Sequence, residues 1–80
     1  MISLSIRYFA ILREQSGLEH EQLETKAETP QAVYEELRRR YDFTLPANRV
    51  RAAVNGEFAS ALATLHDGDE IVFIPPVAGG

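Results

Sequence analysis

Between Thr29 and Tyr41 the chain carries its one long run of helical periodicity, and on both sides of it apolar residues recur at every second position. No other feature restricts the fold as much. A single amphipathic helix needs a surface to cover, and only a sheet built from segments before and after it supplies one. Thr29-Pro30 is a strong helix start: threonine caps free amides, and the fixed φ of proline suits the first helical position. Val33, Leu37 and Tyr41 follow at i, i+4 and i+8 as one apolar stripe, with Tyr34 on its flank. Arg38-Arg39-Arg40 reads as a solvated face of this helix, balanced by the i,i+4 pairs Glu35–Arg39 and Glu36–Arg40.

Ile2, Leu4, Ile6 and Tyr8 alternate with Ser3, Ser5, Arg7 and Phe9, which predicts a half-buried first strand. It should end near Ala10 in a short helical turn, because Ser16-Gly17 is a turn signal. A second strand is expected over His20–Lys26. Leu18 and Leu23 are its only large apolar residues, and its glutamates point to an exposed face. After the helix, Asp42 to Asn48 reads as a loop pinned by Phe43 and Leu45. Val50, Ala52 and Val54 form a third strand, and Asn55-Gly56 is a two-residue hairpin turn, since both residues tolerate positive φ. Glu57-Phe58 opens a short return strand, and Ala59–Thr64 is ambiguous between irregular chain and one helical turn. A turn over Leu65-His66-Asp67-Gly68-Asp69 launches the last strand, Glu70 to Ile74. The order strand, strand, helix, strand, short strand, strand predicts an α+β fold, a mixed sheet with one main helix across one face. That order resembles the β-grasp of ubiquitin. The expected core comprises Ile2, Leu4, Ile6, Val33, Leu37, Val50, Ala52, Val54, Leu65, Ile71 and Phe73.

Eighty residues predict one domain, here 1–74, followed by an extended tail, 75–80. No apolar run approaches a membrane span, and Met1-Ile2-Ser3-Leu4 lacks the basic and apolar parts of a signal peptide, so a cytoplasmic protein is expected. A net charge of −4 argues against nucleic acid as a partner, because phosphate binding needs a basic surface. Cysteine is absent, which excludes a disulfide, a thiolate nucleophile, a zinc–thiolate cluster and a side-chain persulfide. There is no phosphate-cradling or dinucleotide-binding glycine motif. His20 and His66 have no flanking ligand pattern. Asp67, Asp69 and Glu70 surround Gly68, where turn capping explains the aspartates more simply than a cation does. No metal site is expected, and no bound cofactor.

The chemistry that remains lies at the end of the chain. Pro75-Pro76 should stop sheet pairing and send Val77-Ala78-Gly79-Gly80 outward in a stiff, extended form. At about 3.1–3.4 Å per residue, the segment from Pro75 reaches roughly 18–20 Å. Gly79 and Gly80, lacking Cβ, suit a narrow cleft, which makes the Gly80 carboxylate the expected reacting group. A carboxylate undergoes acyl transfer only once its oxygen becomes a leaving group, which adenylation by a partner enzyme with ATP achieves. Capture by sulfur then gives a thiocarboxylate, and capture by an amine gives an amide. The tail by itself leaves both outcomes open.

Three segments resemble the small subunit of molybdopterin synthase. Phe9-Ala10-Ile11-Leu12-Arg13-Glu14-Gln15-Ser16-Gly17 is similar to that family's Phe-Ala-x-Leu-Arg-Glu-x-x-Gly, and Ala53-Val54-Asn55-Gly56-Glu57 to its Ala-Val-Asn-x-Glu hairpin. Leu65 through Gly80 resembles its Leu-x-Asp-Gly-Asp-Glu, apolar strand and Pro-Pro-Val-x-Gly-Gly ending. The resemblance implies a ubiquitin-like sulfur carrier for molybdenum cofactor biosynthesis. An ATP-dependent activating enzyme would adenylate Gly80, and the adenylate would become a thiocarboxylate. The large subunit would then receive the tail and supply the catalytic side chains for sulfur transfer to cyclic pyranopterin monophosphate. This chain would bind no cofactor itself, the ATP being consumed by the activating partner. A thiamine-pathway sulfur carrier shares the fold and the Gly-Gly end, although Pro-Pro-Val-Ala favours the molybdopterin family. Outside the sulfur carriers, the same chain could serve as a ubiquitin-like modifier joined to lysines through Gly80, or as a binding domain whose tail is irrelevant.

Alternation counted back from the tail places Val72 and Ile74 on the sheet face away from the helix, near Ala53 and Phe9, with Arg7 and Arg51 at the border. Such a patch is a reasonable docking surface. It would continue through Pro75, Pro76, Val77 and Ala78 toward Gly79 and Gly80. Phe9 is the open point, since it either joins this face or turns inward where the first strand ends.

Overall fold

The computed structural model describes residues 1–76. The strands are β1 (Ile2–Tyr8), β2 (His20–Thr25), β3 (Arg51–Val54), β4 (Glu57–Ala59) and β5 (Glu70–Ile74). A short helix, α1 (Ile11–Ser16), joins β1 to β2, and the main helix, α2 (Pro30–Tyr41), joins β2 to a single 3-10 turn at Ala47–Arg49. The sheet order is β2-β1-β5-β3-β4. β1 and β5 run parallel at its centre, and the other neighbours are antiparallel. The α+β layout expected from the sequence is therefore present, and β5 occupies the expected residues.

Local chemistry explains the boundaries. The Thr29 hydroxyl accepts from the Ala32 amide at 3.2 Å, and Pro30 stands at the start of α2 as predicted. The helix ends at Asp42, whose left-handed φ of 57° turns the chain so that Phe43 re-enters the core. Asn55 takes the positive φ of the hairpin, and its side chain also joins the hairpin to β5. Its amide donates to Asp69 Oδ1, and its carbonyl accepts from the Glu70 amide, each at 2.9 Å. Asp69 also accepts from the His66 amide at 2.8 Å, and Asp67 from the Ser3 amide at 2.6 Å. Both aspartates thus hold the turn together as expected. Hydrogen bonds from the His66 backbone and then the Asn55 side chain hold the Asp69 carboxyl below its ordinary pKa.

The core lies between the sheet and α2. Of the expected residues, Leu4, Ile6, Val33, Leu37, Ala52, Leu65, Ile71 and Phe73 are buried, whereas Ile2, Val50 and Val54 are half-buried at its margin. Tyr8, Leu12, Leu23, Tyr34 and Phe43 complete it. Aromatic side chains form one end of this core, with Tyr34 edge-on to Phe73 at 5.4 Å and Tyr8 edge-on to Tyr41 at 6.0 Å between ring centroids.

Two features differ from the sequence expectation. The polar sequence of β2 predicts exposed glutamates, yet Glu21 pairs with the inward-facing Ile6 and turns toward the core, its side chain 15% exposed. It does so because two phenols need an acceptor there: Tyr8 and Tyr41 both donate to Glu21 Oε2, the latter at 2.7 Å. On α2, the Glu36–Arg40 pair forms at 3.5 Å, but Glu35 pairs with Arg38 at 3.7 Å instead of Arg39. Positions three and four apart are equally near on a helix surface, and Arg38 lies on the half-buried flank it shares with Glu35.

Candidate functional site

The sheet face opposite α2 is set by strand register. His20, Arg7, Val72, Ala53 and Phe58 stand directly opposite one another across all five strands, forming one row. Arg51 and Ile74 are paired in the next row. Tyr8 and Phe73 are the last pair between β1 and β5, and Phe9 follows directly where β1 ends. Phe9 is 50% exposed; it does not turn inward. Of the residues that alternation assigns to a patch, register brings together Val72, Ile74 and Ala53 with Arg7 and Arg51, and Phe9 is exposed at the end of β1.

One further apolar residue extends this surface. Phe58 is 64% exposed at the edge strand, and the Arg51 guanidinium lies 4.3 Å from its ring centroid. Leu62, on the segment after β4, is 69% exposed, but the carbonyl of its neighbour Ala61 accepts from the Gln31 amide at 2.9 Å, which ties that segment to the helix side. Phe58 was legible in principle, because a two-residue Asn55-Gly56 turn places it opposite the outward-facing Ala53. Leu62 carried no such signal, as Ala59–Thr64 has no period. An apolar surface 50% exposed at Phe9 and 64% at Phe58, bordered by arginines, suits a protein partner. The polar rim includes Arg7 paired with Glu70 at 3.5 Å and Arg13 paired with Glu19 at 3.1 Å.

The face leads directly into the tail. Pro75 continues the inward alternation of Ile71 and Phe73 and is buried, so it belongs to the packed domain and offers no free surface in this chain. Pro76 is exposed. Val77, Ala78, Gly79 and Gly80 lie outside the described residues.

Elsewhere the described residues offer little chemistry of their own. An open cavity of about 300 Å³ lies between α2 and the β3–β4 hairpin, with Pro30, Tyr34, Val50, Ala52 and Phe73 in its wall. Arg51 and Tyr34 are its ionisable lining residues, and the Tyr34 hydroxyl already donates to the Leu45 carbonyl at 2.7 Å. Among the described residues, no group of three His, Asp or Glu is placed to hold a metal ion. No helix among them is long and apolar enough to cross a membrane.

A central parallel pair, β1 and β5, with one helix across the inner face, defines a ubiquitin-like β-grasp domain. The chain belongs to the ThiS family, whose model matches residues 6–80. It is 35% identical over 80 residues to the molybdopterin synthase sulfur carrier subunit of Haemophilus influenzae, an alignment that covers 96% of this chain and 99% of that protein. The solved structure of a molybdopterin converting factor subunit 1 assigned in Pyrococcus furiosus superimposes with a TM-score of 0.78 at 25% identity, covering 96% of this chain and all of that one. A chain in the solved complex of subunits 1 and 2 of molybdopterin-converting factor from Helicobacter pylori shares the fold, with a TM-score of 0.69 at 22% identity over 99% of this chain and all of that one.

Proposed function

We propose that this protein is the sulfur carrier subunit of a molybdopterin synthase, acting in the cytoplasm as a cosubstrate with no catalytic side chains of its own. The observation that carries this reading is the end-to-end similarity to the Haemophilus influenzae sulfur carrier subunit. In the proposed cycle, an ATP-dependent activating enzyme transfers AMP to the Gly80 carboxylate and releases pyrophosphate. A sulfur nucleophile then displaces AMP, leaving a thiocarboxylate. The loaded tail enters the large subunit, which supplies the catalytic groups, and sulfur passes to cyclic pyranopterin monophosphate. The chain binds no cofactor; ATP is held by the activating enzyme.

The outer face supports the same reading. Phe9, Ala53, Val72, Ile74 and Phe58, bordered by Arg7 and Arg51, supply an apolar surface with a charged border that suits a protein partner. The Helicobacter pylori complex, in which a protein of the same fold is assembled with a second subunit, supports a large-subunit partner. The test is intact mass after incubation with the activating enzyme, ATP and a sulfur donor. A sulfur carrier gains the mass difference of one oxygen replaced by sulfur, and co-purification with a large subunit distinguishes this pathway from thiamine synthesis. Lysine-linked adducts in place of the thiocarboxylate would identify a modifier and overturn the proposal.

A further inference from the structure

Ala10 stands between the outward-facing Phe9 and the first residue of α1 with φ 51° and ψ −125°. Glycine enters that region freely, whereas the Cβ of an L-residue resists it. Elsewhere among the described residues, positive φ falls on Gly17, Gly56, Gly68, Asp42 and Asn55, all residue types that tolerate it. Ala10 is the exception, and it is exposed, so no packed methyl explains the choice of alanine. The backbone around it is fixed from both sides. The Phe9 carbonyl accepts from the Leu12 amide and the Ala10 carbonyl from the Glu14 amide, each at 3.1 Å, while Tyr8 and Leu12 are anchored in the core.

We propose that Ala10 is a positioning residue: its strained backbone turns the chain from β1 into α1 and holds Phe9 exposed at the end of β1, ready for the partner. The inference rests on the docking role assigned above to the outer face. The Cβ of Ala10 narrows the conformations open to this joint, and that restriction is what Phe9 requires if it is not to be ordered at the moment of binding. Ordering a side chain or loop on association costs affinity, and a joint set beforehand avoids that cost. Strain retained at an exposed corner, where glycine would relieve it, is the expected mark of such preorganisation.

The test measures melting temperature and affinity for the molybdopterin synthase large subunit in wild type, Ala10→Gly, Phe9→Ala and the double variant. Ala10→Gly is expected to raise the melting temperature by a few degrees while weakening association roughly 3–10-fold. In the Phe9→Ala background it should still raise the melting temperature but leave affinity unchanged, because its effect passes through the Phe9 ring. A lower melting temperature for Ala10→Gly overturns the inference, as does an unchanged affinity or an equal loss of affinity with and without Phe9. Failure of the wild type itself to associate removes the docking reading and this inference with it, an outcome distinct from the others.

Discussion

Replacing Glu21 by alanine removes the one carboxylate that receives hydroxyl groups from both β1 and α2. Tyr8, 2% exposed, loses the partner of its hydroxyl. An unsatisfied buried donor costs about 1–3 kcal/mol. Tyr41 is half-buried and regains water, so its lost bond should cost only about 0.5–1 kcal/mol. The Arg40 contact at 3.8 Å involves a side chain 47% exposed and adds little. Together these predict a loss of about 2–4 kcal/mol. That is a large part of the roughly 4–12 kcal/mol expected for a domain of this size at about 0.05–0.15 kcal/mol per residue. The melting temperature should fall by about 8–32 °C, at about 4–8 °C per kcal/mol. Glu21→Gln keeps an acceptor oxygen and should cost about 1 kcal/mol or less. Urea unfolding followed by circular dichroism gives these values, and a cycle with Tyr8→Phe isolates the pair. Once the Tyr8 hydroxyl is gone, Glu21→Ala should cost markedly less, with a coupling of roughly 1–2 kcal/mol. A loss below about 0.5 kcal/mol for Glu21→Ala, or strict additivity with Tyr8→Phe, would refute the claim that Glu21 is held inward by the phenols.

Three other outcomes follow from the same geometry. Ile74→Asp places a charge on the outer face at the end of β5 and should weaken large-subunit binding roughly 10–30-fold while the isolated domain keeps its fold, as calorimetric titration and melting will show. Deleting Gly80 should leave the melting temperature at the wild-type value yet lower sulfur delivery to the pterin precursor by about a hundredfold or more, since the carboxylate carbon no longer reaches its reaction position; wild-type delivery by the truncated chain would end the carrier mechanism. Burial pushes the Tyr34 phenol up to about 12, and burial followed by the Glu21 hydrogen bond raises Tyr8 further, so the fold favours the neutral forms. The stability these phenols contribute is complete below about pH 10, their unfolded value, and is lost as pH rises through the folded values, so urea midpoints should decline above pH 10 and Tyr34→Phe should flatten that decline.

The parts of this molecule that were legible in its sequence are those decided by neighbours along the chain. The Thr29-Pro30 start, the Asn55-Gly56 turn and the alternation over Glu70–Ile74 each follow from backbone geometry or capping chemistry within a few residues, and each is found where the sequence places it. The same alternation located Val72, Ile74 and Ala53 on the outer face, because register converts a period of two into a side of the sheet. Sidedness fails as a guide where a polar residue has a distant partner. Glu21 looks like its exposed neighbours Glu19 and Glu24 until Tyr8 and Tyr41, brought from 13 positions before and 20 positions after it, supply hydroxyl donors. Phe43 is similar: its burial depends on the left-handed turn at Asp42, which no periodicity announces. Phe9 combines both cases. Its outward direction is a matter of alternation, but whether that alternation survives the end of β1 is decided at Ala10, by a backbone conformation that alanine's own preference argues against. The outer face is therefore readable where it is sheet and unreadable at the end of β1, where the backbone of Ala10 decides the direction of Phe9.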